Sequence, residues 1–183
     1  MNFIDYVTLL LTNMTAGLVV LAAFLWKGLD GEDRRPWAPA FGIVGLVAAV
    51  AGFAMVFTWP LPKPYSTPYG EMSVLLGVLF LGASWALAQG WTLRPLGIYA
   101  FFAGAAAVLL GVRIIDLALT NAPVLSGVGF ILTGSGGVFA GFALRHTQNR
   151  AVRCLGALTM LAAAAVWALT AAVAYWLHML PPK

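Results

Sequence analysis

The chain has 183 residues, 62% of them hydrophobic and only 9% charged, with a formal charge of +4. Soluble domains carry roughly 25% charged residues, so this composition excludes a water-soluble globular fold and leaves the lipid bilayer as the solvent. The small basic excess is no argument for nucleic-acid binding, and a single cysteine, Cys154, excludes an intramolecular disulfide and a cysteine-based metal cage.

Apolar runs of about 20 residues, long enough for a hydrocarbon core of ~30 Å, recur six times. The first, residues 3–26, follows an N-terminus without the basic segment of a signal peptide and reads as a retained span. Asp5 lies at its start, where the helix dipole favours a carboxylate. Thr8, Thr12 and Thr15 then form one stripe, and hydroxyls in spans usually bond back to their own helix. Asn13 beside them needs partners for its amide and should face protein rather than lipid. The second span, residues 37–59, contains Gly45-Leu-Val-Ala-Ala49 and Ala48-Ala-Val-Ala-Gly52, small-residue faces suited to close helix approach.

A stiff loop with Pro60, Pro62, Pro64, Pro68, Tyr65 and Tyr69 leads to the third span, residues 72–89, through Tyr69-Gly-Glu-Met-Ser73. The dipole accounts for Glu71 at a helix start, and a place at the mouth of the bundle is the functional alternative. The fourth span, residues 95–118, carries Arg113 and Asp116 on one face. About 18 residues separate Pro95 from Arg113, or ~27 Å, which puts Arg113 near the far hydrocarbon boundary. Either the pair lines a polar pocket, or Arg113 snorkels to headgroups with a carboxylate nearby. The fifth span, residues 124–144, holds the GxxxG seam Gly137-Val-Phe-Ala-Gly141. The sixth, residues 152–178, ends on Tyr175 and His178, the latter a candidate metal ligand, pH switch or plain interfacial residue.

These elements predict an all-α fold, an integral membrane six-helix bundle forming one transmembrane domain over residues 1–183. Leu93-Arg-Pro-Leu-Gly97 resembles Val152-Arg-Cys-Leu-Gly156, and Arg35 to Gly42 is a looser version. Three repeated helical hairpins are one explanation, and the prevalence of Ala, Gly and Leu in spans is the other. Lys27, Arg34, Arg35, Arg94, Arg145, Arg150 and Arg153 lie in or beside the first, third and fifth loops, while only Lys63, Arg113 and Lys183 lie opposite. The positive-inside rule then places the chain in the cytoplasmic membrane with both termini outside. In that topology Asp5, Glu71, Arg113, Asp116 and His178 all fall at outer span ends, and with Tyr69 and Asn13 they are the candidate binding residues.

No phosphate-binding glycine loop, HExxH or Cys/His cluster occurs, nor a Gly-x-Ser-x-Gly elbow, so the sequence assigns neither metal nor cofactor. The two histidines lie on opposite sides and cannot ligate one haem. In size, span count and the Tyr69-Gly-Glu-Met-Ser73 segment, the chain resembles small multi-span prokaryotic membrane proteins grouped as families of unknown function. That resemblance implies no activity. Three function classes stay open. One is binding or transport of a small solute or ion through the outer pocket. A second is an accessory or assembly subunit, or a homo-oligomer, docking through the faces of Gly137, Gly141, Ala48 and Gly52. The third is an intramembrane metal-dependent hydrolase using Glu71, Asp116 and His178. The nearly unpolar middle, with no broken span, counts against transport.

Overall fold

Proline and left-handed residues set the limits of six helices, each long and apolar enough to cross a membrane. The computed structural model describes residues 6–61 and 65–178. Helix α1 (Tyr6–Ala23) widens into a π turn over Phe24–Gly28, where the Leu29 N–H reaches back five residues to the Phe24 carbonyl at 2.7 Å. A short 3-10 turn, Arg35–Trp37, feeds α2 (Ala38–Thr58). A second π turn, Thr67–Glu71, feeds α3 (Met72–Ala88). The third helical segment therefore begins several residues before the apolar run does. Pro68 sits in its first turn, where a missing N–H costs nothing.

The other three helices are α4 (Leu96–Asp116), α5 (Pro123–Arg145) and α6 (Arg150–His178). Pro123 opens α5 at its first turn. Asn149 caps α6, its side-chain oxygen accepting from the backbone N–H of Ala151 at 3.0 Å and Val152 at 3.3 Å. Two helix ends carry no glycine: Trp59 after α2 and Ala118 near the end of α4 both adopt φ of 48°.

The helices associate as tight pairs. α4 lies most extensively along α5, α2 along α3, and α1 along α6, whereas the consecutive helices α3 and α4 touch far less. Small residues at seven-residue spacing make the tightest seams. On α4 these are Gly97, Gly104 and Gly111, which face Gly141, Gly134 and Gly127 of α5. A Cβ on Gly111 would stand 2.6 Å from the Gly127 carbonyl oxygen, so only glycine permits this approach. Gly77 of α3 meets the Ala49 backbone of α2 in the same way. On α6, Ala157, Ala164 and Ala171 are buried at the same spacing.

The seam residues singled out in the sequence join helices of this one chain. Gly137 packs on Ala100 and Gly104, and Gly141 receives Gly97. Gly52 meets Val74 and Gly70, and Ala48 is buried.

Bulky apolar side chains face outward instead. Ile43, Val50 and Phe57 form one exposed stripe of α2, at 65, 62 and 79% exposure, and Phe102, Leu109, Leu155 and Trp176 are also exposed. Such a surface suits lipid and not water.

Candidate functional site

The loops joining α1 to α2, α3 to α4 and α5 to α6 form one rim of the bundle, called the odd rim below. The loops joining α2 to α3 and α4 to α5 form the even rim. The even rim holds Glu71, Arg113 and Asp116 of the ionisable residues that the sequence singles out. Glu71 is exposed at the end of its π turn. Arg113 Nη1 donates to Asp116 Oδ2 at 2.6 Å within α4, with side chains 54% and 59% exposed. Among the described residues, no ion pair links Glu71 to Arg113. No group of three or more His, Cys, Asp or Glu there could hold a metal. Asp5 lies outside the described residues, and so does the side chain of His178.

Tyr69 and Asn13 are tied into helix contacts. The Tyr69 side chain hydrogen-bonds with Ser126 of α5, and its ring lies 6.1 Å from that of Phe130. Thr120 Oγ1 donates to Ser126 Oγ at 3.1 Å, so this polar cluster joins α5 to the loop before it. Asn13 Nδ2 donates to the Val44 carbonyl at 2.9 Å, crossing from α1 to α2. Thr12 and Thr15 bond back to Thr8 and Leu11 carbonyls of their own helix at 3.0 and 2.9 Å.

Glu71, Arg113, Asp116, Tyr69 and Asn13 are not among the residues bordering the main cavity. That space, about 730 Å³, runs through the bundle interior and touches all six helices. Its walls are Met, Leu, Phe and Ala side chains, together with the Thr133-Gly-Ser-Gly-Gly137 stretch of α5. Along α6 it extends from Val152 to Trp167, or ~22 Å at the α-helical rise.

Toward the even rim its walls are Met14, Met72, Phe130 and Trp167. Phe130 meets Trp167 edge-on at 5.1 Å, and the Tyr69 ring lies 6.1 Å from that of Phe130. At the odd rim its walls are Leu29, Leu93, Leu144 and Val152. The weak α3–α4 contact leaves Leu75 and Leu79 facing the same space as Ala103 and Ala107.

Among the described residues, the side-chain hydroxyls bordering the cavity are those of Thr133, Ser135 and Thr159, and all three donors are engaged. They bond the carbonyls of Gly129, Leu132 and Leu155 at 2.8, 2.7 and 2.9 Å. The Trp167 indole N–H donates to Thr133 Oγ1 at 2.9 Å. A partly open space of this size with so few polar groups has the character of a ligand pocket for an apolar molecule.

A family model matches residues 1–180 of the chain. The chain belongs to the family described as protein of unknown function (DUF981). No curated protein and no solved structure matches it. In this family member the sequence drew attention to polar rim residues and passed over the cavity walls. The available signal was the size pattern of α4, where Ala100, Ala103, Gly104 and Ala107 face inward while Phe101, Phe102 and Leu109 face outward. Small residues on an inward face mean either a close seam or a space, and periodicity alone cannot separate the two.

Proposed function

We propose that this membrane protein binds a hydrophobic ligand, a lipid or other long apolar chain, in the partly open space between its six helices. The observation that carries the reading is a cavity of about 730 Å³ whose three hydroxyl donors are all engaged on their own helices. A hydrated ion or polar solute would lose its water there without finding donors in exchange, at a cost of several kcal/mol. An apolar chain loses nothing. Its route of access is the side where the exposed wall residues Phe139 and Phe142 of α5 and Leu155 of α6 face lipid.

Binding of a small solute at the even rim has narrower support, namely that Glu71, Arg113 and Asp116 lie at one end of the bundle. The charge distribution favours a cytoplasmic odd rim, with both termini outside. An assembly-subunit role would have to use the outward faces, because the Gly/Ala seams are occupied within the chain.

The test is to purify the protein in mild detergent, extract it with organic solvent and quantify retained lipid per chain. Ala103→Phe, which places a ring in the cavity, should abolish retention. Val50→Phe, on the lipid-facing stripe of α2, should not. Equal lipid content in the two variants would refute the reading.

A further inference from the structure

The cavity has two unlike ends. Toward the even rim its walls are Met14, Met72, Phe130 and Trp167, whose apolar side chains and engaged indole N–H offer a headgroup nothing. At the odd rim, wall residues stand next to cations in sequence: Leu93 beside Arg94, Leu144 beside Arg145, and Val152 two residues after Arg150. Arg94, Arg145 and Arg150 are exposed, and among the described residues none of the three is ion-paired.

Acidic residues of this rim are placed differently. Asp30 is paired with Arg153. Glu32 and Asp33 line a separate cleft with Arg34, Arg35 and Trp91. The three arginines next to these wall residues in sequence therefore have no carboxylate partner among the described residues.

Resting on the apolar-ligand reading above, we infer that the occupant is an anionic phospholipid of the surrounding bilayer. One acyl chain lies in the cavity and the phosphate-bearing head sits among Arg94, Arg145 and Arg150. Guanidinium groups suit a phosphate because their paired donors match its oxygens. The cavity's length of ~22 Å exceeds one leaflet of a ~30 Å core, so it accepts a full chain from a head held at the rim. The inverse orientation would place the head against aromatic rings.

The experiment compares two fluorescent phospholipids with identical chains, one with a glycerol head (anionic) and one with a choline head (zwitterionic), binding to the full-length protein in neutral detergent. The anionic lipid should bind about tenfold more tightly at low salt, and the preference should shrink as salt rises. Arg94→Gln/Arg145→Gln/Arg150→Gln should remove the preference. Arg34→Gln/Arg35→Gln, on the same rim but in the separate cleft, should retain it.

Equal affinity for the two lipids in the unmodified protein would overturn the headgroup assignment while leaving the apolar site standing. So would an equal loss of preference in both arginine variants, since diffuse rim charge would then suffice. If neither lipid binds, or if Ala103→Phe leaves binding of both intact, the apolar site itself fails.

Discussion

Replacing Gly104 by alanine tests whether the α4–α5 seam is as close as described. The added Cβ would collide with the Gly134 carbonyl and stand 2.6 Å from the Val138 nitrogen, both backbone atoms of α5 that no rotamer change can move. Restoring an ordinary separation of about 3.5 Å requires the helices to part by about 1 Å. A gap of that size forfeits a quarter to a half of each contact's attraction. Over on the order of 40 atom contacts at ~0.1–0.2 kcal/mol each, the loss is ~1–4 kcal/mol.

Alanine's better helix propensity returns at most about 1 kcal/mol. With that return in full, the net expectation is destabilisation by about 0–3 kcal/mol, overlapping the usual range for overpacking. Gly141→Ala is the matched control. Its new methyl would meet nothing nearer than the Gly97 carbonyl oxygen at 3.9 Å. That variant should be neutral or more stable by up to ~1 kcal/mol. Unfolding in mixed micelles, titrated with a denaturing detergent and followed by circular dichroism, separates the two variants. Coincident transitions would refute the close seam.

Other perturbations follow from the same geometry. Thr133→Val removes the acceptor of the buried Trp167 indole N–H and should cost about 1–3 kcal/mol; Thr133→Ser should keep most of the stability in the same titration. Asn13→Leu breaks the bond from α1 to the Val44 carbonyl, with an expected loss of about 0.5–2 kcal/mol in unfolding midpoint measurements. Asp30→Asn leaves the largely buried Arg153 guanidinium without its carboxylate, and the variant should be measurably less stable than Asp30→Asn combined with Arg153→Gln. Asp116→Asn, by contrast, disrupts a pair whose members are both more than half exposed, and should change stability by less than about 1 kcal/mol.

Composition and run length alone determined the solvent, the all-helical class and the six spans, because a segment that must satisfy its own backbone in lipid has almost no alternative to a helix. They also marked Gly137 and Gly52 as packing positions and Asn13 as a residue in need of a protein partner. Helix ends were less legible. Trp59 and Ala118 adopt the left-handed conformation without the glycine that would announce it, and Pro68 reads as loop although a helical first turn tolerates it.

Pairing was not legible at all, since any small-residue face can meet any other, and the choice of α6 for α1 depends on how six helices close around one another. Tertiary structure also decided where the candidate site lies. Charged residues draw attention in an apolar sequence because each is costly in lipid, yet Arg113 and Asp116 meet that cost by pairing at the rim. The cavity arises from the difference between inward side-chain volume and the space between helices, a quantity that belongs to no single residue. Only the assembled helices reveal that Ala103 borders an empty space while Gly111 closes a seam.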